Sequence, residues 1–459
     1  MKAQWLSANM VVSAFAIGAL AYPVFFLGFI DTILIIFFVN ILGIIPVCFF
    51  STFGPRFGLR QMVLSRFYFG YHGVKISRFN LKLQTKTIAN LHKVAVFNIL
   101  ACVGWSSVNV IVGAQLFNAV NSNMPGWAGI ILIAAATFLV TLFGYKIVHT
   151  YERYSWIPCF IIFLIVLGEF AHSGKFENIP MGVGKSEAGA ALSFAASVFG
   201  FATGWTSYAA DYTVYQPVGR SRKSVFLWTF AGLSFPLLFT EMLGAAVATA
   251  MAANDGDNAY MDRYGSSGIG GLLAVVLSPL GKFGQFCLVI LALSIIANNC
   301  PNIYSVSLSL QLLARKSQRV PRFVWTFIGT LVYCAIAIPG YSHFESVLEN
   351  FMLLIAYWLA IYEGISLAEH FLFKRGFSGY QPENYLSKDK LPPGFAAILA
   401  FAFGVMGAIL GMAQVWFTGP IGKLCGTEYG GDIGFELAFL FAGTSYCALR
   451  YFEKKHFGR

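Results

Sequence analysis

The sequence predicts an all-α integral membrane protein with about twelve transmembrane helices, from its composition, its apolar runs and its charge pattern. Only 11% of the 459 residues are charged, while 57% are hydrophobic; soluble domains carry roughly 25% charged residues. Apolar runs of about 20 residues, long enough for a helix to cross the hydrocarbon core, recur along the whole chain. The short alternating pattern of a β-barrel is absent. Finally, the basic residues are concentrated in alternate connections and the termini, as they are in chains that thread a bilayer.

The spans fall near 8–29, 31–50, 94–119, 127–145, 154–171, 190–213, 225–252, 282–312, 322–340, 345–370, 393–417 and 433–452. Connections after even-numbered spans, with both termini, hold 26 of the 31 Lys and Arg; the others are Lys175, Lys185, Arg263, Lys282 and Lys423. Positive charge marks the cytoplasmic side, so both termini are expected there. The 51–93 segment, with eight basic residues and no acidic one, is the strongest marker. Topology explains the net charge of +11, so nucleic acid is not expected as a partner. Lys2, the run VVSAFAIGALA and Ala19-Leu20-Ala21 imitate a secretory signal, but the apolar sequence continues to residue 50 and favours a retained span. The eight Cys are scattered singly and offer neither a disulfide framework nor a metal site. No cofactor is expected.

Nothing in 1–459 reads as a separate soluble domain; the Gly- and Asp-rich 253–281 connection reads as an external loop. Span 1 contains FAIGALAY (15–22) and span 6 contains FATGWTSY (201–208), sharing Phe-Ala-x-Gly-x-x-x-Tyr. Their positions suit an inverted repeat of five spans, covering about 8–171 and 190–370, with peripheral helices at about 393–452. In such folds the first helix of each repeat is interrupted at mid-membrane. Gly18 before Pro23, and Gly204 before Pro217, are the expected breaks.

The polar residues inside the spans are the candidate site. Trp105 and Asn109, in VGWSSVNVIVGAQ, lie one helical turn apart and share a face. An indole beside an amide suits a flat heterocycle, since one stacks and the other donates and accepts. Packing, with the amide bridging two helices, is the competing reading. Trp205 follows the suspected break at Gly204 and supplies a second indole. Glu152, in HTYERYSWIP, either pairs with Arg153 or Lys146 at the membrane edge or points inward. Intramembrane carboxylates tend to mark pathways or relays; Glu241, Glu349 and Glu363 are further candidates for handling a proton.

The segment IIANNCPNIYS (295–305) places three amides in a strongly apolar run. On a helix Asn298 and Asn302 share a face, with Asn299 three residues before Asn302. Pro301 has no N–H and crowds the carbonyl of Ala297, so a kinked or gating helix is expected. Three amides without net charge suit a neutral, hydrogen-bond-rich ligand and suit an anion or bare metal poorly. Left alone they cost more to bury than when filled, so a ligand should favour an occluded state.

FGPRFGLRQMVLSRFYFGYHG (53–73) and NNCPNIYSVSLSLQ (298–311) resemble the signature loop and span-8 motif of the nucleobase-cation-symport-1 family, in its fungal purine–cytosine permease branch. The resemblance covers nearly the whole chain. It implies a LeuT-type 5+5 inverted-repeat fold with two extra C-terminal helices. It also implies import of cytosine, adenine, guanine or hypoxanthine across the plasma membrane, with a proton as coupling ion. Vitamin B6 compounds are the alternative cargo within the branch. The implied binding positions are Trp105, Asn109, Glu152, Trp205, Asn298, Asn299 and Asn302, with Ser13 in span 1. Ser294 would be the remnant of a cation site found in sodium-driven relatives. Cys300 departs from the usual aliphatic residue, and the long hydrophilic N-terminal tail of fungal members is not seen ahead of span 1. An enzyme would need a metal or nucleophile constellation, and a channel a pore loop or charged ring; neither is visible.

Overall fold

The computed structural model describes residues 2–73, 93–142, 154–313, 317–387 and 389–458. Helices dominate, in the order α1 (Lys2–Asn9), α2 (Val12–Ala19), α3 (Phe29–Ser51), α4 (Lys93–Val120), α5 (Gly126–Leu142), α6 (Trp156–Ser173) and α7 (Gly184–Thr203). Then come α8 (Arg222–Thr249), α9 (Ala259–Leu277), α10 (Lys282–Leu313), α11 (Arg322–Gly340), α12 (Phe344–Ala368), α13 (Phe395–Gly411) and α14 (Gly434–Phe457). Short helical turns between Phe53 and Gly73 form the start of the basic loop. A two-residue antiparallel pairing, Ala413 with Thr418 and Gln414 with Phe417, closes the turn after α13.

Each predicted span coincides with a helix or a broken pair of helices. Among the described residues, seven stretches are long and apolar enough to cross a membrane, one of them covering both α11 and α12; α5 and α13 are shorter apolar helices. The two spans that remain fall short for local reasons. The first is cut in two, and α14 carries Arg450 and Glu453 on its buried side. Outward faces are apolar: Leu34, Phe38 and Leu42 of α3, each one turn from the next, are exposed, as a lipid-facing stripe requires.

Span 1 is interrupted at Met10–Val11, where Val11 is extended at φ −140° and ψ 160°. This corrects the expected break at Gly18, which lies inside α2. Gly18 is there for a different reason. A Cβ at that position would stand 1.8 Å from the carbonyl oxygen of Glu241 on α8, and one at Gly244 would stand 2.0 Å from the carbonyl of Phe15. Two glycines thus let α2 and α8 cross backbone to backbone. Span 6 is broken where expected: α7 ends at Thr203, and a 3-10 segment, Thr206–Tyr212, follows Gly204 and Trp205. Pro301 interrupts nothing, since α10 runs unbroken through it; the side-chain amide of Asn302 donates to the Asn298 carbonyl at 3.3 Å. The 253–281 connection holds α9, started by Asn258, whose side chain accepts from the amides of Tyr260 and Met261. The helix is kinked at Ser267–Gly268, where Gly268 has φ +55°.

Helices α4 and α10 lie along one another, α8 packs on α2 and α3, and α7 packs on α3 and α12. The C-terminal pair α13 and α14 flanks α12. A buried ionic knot fixes it: Arg450 meets Glu369 at 3.1 Å and Glu453 at 2.9 Å. Glu453 in turn accepts from the backbone amides of Gly394, Phe395 and Ala396, where an anion stabilises the start of α13.

Candidate functional site

Both helix interruptions face α4 and α10, and the polar side chains of all four meet there. Asn109 is the centre. It accepts from the Ser13 hydroxyl of α2 at 2.7 Å and donates to Oδ1 of Asn298 on α10 at 2.5 Å. The Asn298 amide donates to the carbonyl of Ala8, one of the groups that the break in span 1 leaves without a helical partner. Trp205 donates through Nε1 to Oδ1 of Asn9 at 3.0 Å. Tyr208, in the 3-10 segment, donates to Oδ1 of Asn302 at 3.3 Å. A closed set of hydrogen bonds therefore ties spans 1, 3, 6 and 8 without a formal charge.

These groups surround a cavity of about 10 Å³ lined by Asn9, Ser13, Trp105, Asn109, Phe201, Gly204, Trp205, Tyr208, Asn298 and Asn302. That is space for the centre of one water molecule, so the walls are drawn together in this conformation. Trp105 stands edge-on to Phe201 and Phe351, with ring centroids 5.1 and 5.5 Å apart. Its Nε1 is buried without a hydrogen-bond partner. Gly204 brings the backbone against this ring, because a Cβ there would lie 3.0 Å from it.

The structure thus gathers Ser13, Trp105, Asn109, Gly204, Trp205, Asn298 and Asn302 around one point. Asn299 does not line the cavity. It lies beside the hydroxyl of Tyr333 on α11. Ser294 bonds the Leu291 carbonyl of its own helix at 2.6 Å. Glu152 lies outside the described residues. Asn9 and Tyr208 were missed by the reading of the sequence. Tyr208 ends the quoted FATGWTSY echo, and Asn9 was an uncharged polar residue at the start of an apolar run.

Two other carboxyl groups sit near the breaks. Glu363 of α12 accepts from the hydroxyl of Thr203, which is 3.0 Å from that of Thr206, so it braces the unwound part of span 6. Glu241 of α8 accepts from the Asn40 amide of α3 at 2.6 Å. At the end bearing the basic loop, the short turn 61–65 is held down. The Gln61 backbone amide donates to Asp211 at 2.7 Å, its side chain donates to the Tyr362 hydroxyl at 2.9 Å, and Ser65 meets the same hydroxyl. Toward the opposite end lies a wider cavity of about 570 Å³, whose lining includes Gln115, Tyr264, Tyr341, His343 and Glu345.

Residues 2–429 match the family described as permease for cytosine/purines, uracil, thiamine, allantoin. The purine-cytosine permease FcyB of Emericella nidulans is 60% identical over 99% of this chain and 85% of its own length. The purine-cytosine permease FCY2 of Saccharomyces cerevisiae is 46% identical over 99% of this chain and 83% of its own. The fold is that of Mhp1, a nucleobase-cation-symport-1 family transporter solved in a closed conformation with bromovinylhydantoin bound. That match has a TM-score of 0.68 at 14% identity and covers 99% of this chain and 92% of that one. The chain is a multi-pass membrane permease rather than an enzyme, and it belongs to the cytosine/purine permease family, nucleobase-cation-symport-1.

Proposed function

We propose that this protein imports nucleobases, namely cytosine and purines such as adenine, guanine and hypoxanthine, by proton symport with alternating access. It would act in the plasma membrane with both termini cytoplasmic. The observation that carries the reading is the position of Asn109, whose amide engages span 1 through Ser13 and span 8 through Asn298. A base entering there would exchange those bonds for its own N–H and carbonyl edges and lie against Trp105 and Trp205. The amides of Asn298 and Asn302 would complete its contacts, while Asn299, off the cavity, would act by packing. A neutral ligand suits the site because no formal charge lines it. The bonded turn at 61–65 and the wide cavity at the other end fit a protein closed toward the cytoplasm and accessible from outside.

The test is uptake of radiolabelled cytosine and adenine in cells lacking their own permeases, with pyridoxine as competitor and with or without a protonophore. Saturable uptake abolished by the protonophore is expected. Uptake that survives collapse of the proton gradient refutes the coupling. No nucleobase uptake despite surface expression refutes the substrate, and full inhibition by micromolar pyridoxine would shift the assignment to vitamin B6 compounds.

A further inference from the structure

We propose that Asn40 of α3 and Glu241 of α8 form the proton-binding site, with one proton held between Oε1 of Glu241 and Oδ1 of Asn40. The inference rests on the proton-driven reading above and names the group that carries the proton. It comes from counting donors. Both residues are 0% exposed. Asn40 spends its two N–H bonds on the Ile36 carbonyl at 2.8 Å and on Oε2 of Glu241 at 2.6 Å. What remains is one acceptor on each side chain, Oδ1 of Asn40 and Oε1 of Glu241, both buried and both without a partner. Buried acceptors ordinarily find donors. An amide and a carboxylic acid can satisfy each other completely through one N–H···O and one O–H···O bond, and a single proton on Glu241 supplies the missing donor.

The surroundings point the same way. The helices packed on α8 are α1, α2, α3 and α6, with the turn Ala250–Gly256 at its end. Helix α2 carries no titratable residue, and neither does Trp5–Asn9. The others bring Asp31 and Cys48 at the two ends of α3, Cys159, Glu169 and His172 on α6, and Asp255 in the turn. Among the described residues none of these bonds the Glu241 carboxyl, and Asn40 is its one polar partner. A full negative charge held by one hydrogen bond inside a membrane protein would cost several kcal/mol, whereas a neutral acid paired with the amide is satisfied.

The pair is also placed to be felt at the substrate cavity. The backbone carbonyl of Glu241 presses on Gly18 of α2, and the same short helix carries Ser13, the partner of Asn109. Releasing the proton removes the O–H···O bond and leaves two acceptors, Oε1 of Glu241 and Oδ1 of Asn40, facing each other, while the N–H···Oε2 bond remains. The crossing on which α2 rests then loosens, and Ser13 moves with it.

The experiment compares wild type, Glu241→Gln and Asn40→Ala in proteoliposomes. A glutamine can make both bonds to Asn40 and mimics the protonated pair. Under a gradient of one pH unit, worth up to about tenfold accumulation for one proton per base, wild type should concentrate radiolabelled cytosine. Glu241→Gln should carry out slowed cytosine exchange, yet its accumulation ratio should fall to about one and its exchange should lose dependence on external pH. Asn40→Ala, which removes the amide but keeps the acid, should shift the pH of half-maximal accumulation. Uphill accumulation by Glu241→Gln at the wild-type ratio overturns the proposal. So does loss of exchange and accumulation together in correctly folded Glu241→Gln, or an unshifted profile in Asn40→Ala. Failure of wild type to accumulate cytosine would instead refute the importer reading, and the wild-type arm reads that separately.

Discussion

Truncating Asn109 to alanine tests the site most directly, because two hydrogen bonds from two different spans end on one side chain. Asn109 is fully buried. Its removal leaves the Ser13 hydroxyl without its acceptor and Asn298 Oδ1 without its donor. Each orphaned buried group costs about 1–3 kcal/mol. The space vacated by the amide can admit water, which holds the sum near the lower end, about 2–3 kcal/mol. With a base bound that water is displaced and the base's own edge is left unpaired, so the cost falls on the bound state, about 2–3 kcal/mol. At about 1.4 kcal/mol per factor of ten, the KM for cytosine should rise about 30- to 150-fold.

Ser13→Ala removes only one of the two bonds, worth about 1 kcal/mol, so a rise of about fivefold is expected. In the double variant the shared bond is already gone. Its KM should match Asn109→Ala rather than the product of the two single effects. The assay is initial-rate uptake of radiolabelled cytosine, normalised to protein at the cell surface. A KM for Asn109→Ala within twofold of wild type, or strict multiplicativity in the double variant, refutes the reasoning.

Three further outcomes follow from geometry. Gly18→Ala should abolish monodisperse protein in fluorescence-detected size exclusion, since its Cβ would sit 1.8 Å from the Glu241 carbonyl; Gly168→Ala, with nothing within 4 Å of the new methyl, should be tolerated. Arg450→Ala leaves Glu369 and Glu453 buried without their cation. It should cost about 3–5 kcal/mol, read as a lowered thermal midpoint in detergent. Asp432, in the connection before α14, is pushed up to about 6 by burial. A carboxyl raised in the folded state favours folding at low pH, and this contribution is lost as pH rises through about 6. The thermal midpoint should therefore rise from pH 7 to pH 5, and Asp432→Asn should flatten that rise.

Span positions were readable because lipid imposes them: an apolar run of fixed length has few other fates. Trp105 with Asn109, and Asn298 with Asn302, were readable because amides and indoles at one-turn spacing inside such runs are costly unless used. Asn299 has the same composition but sits on another side of α10, which only packing against α11 decides. The break in span 1 left no mark in Met10 and Val11, both acceptable in a helix. It is held from outside, by Asn298 on the Ala8 carbonyl and Trp205 on Asn9. Gly18 was marked correctly as special and assigned the wrong cause, since a glycine can signal either a break or a close approach, and the partner backbone is 223 positions away in the sequence. Ser13 has no local signature and entered only through the family resemblance.

The hydrogen bonds also revise the expected energetics of closure. Amides buried without partners would make a ligand the condition for closing. Here Ser13, Asn109, Asn298 and the Ala8 carbonyl satisfy one another, so under the proposed reading a base would trade bond for bond, a near-neutral exchange. What it would add is ring contact with Trp105 and Trp205 and the correct order of donors and acceptors. Such a site discriminates well, because a ligand with the wrong edge leaves a buried amide unpaired. It drives the conformational cycle weakly, because the bonds a base would gain replace bonds that the walls already make. The driving force must then enter elsewhere, at a group whose own bonding is incomplete without its ion, and the Asn40–Glu241 pair is short of one donor in that sense.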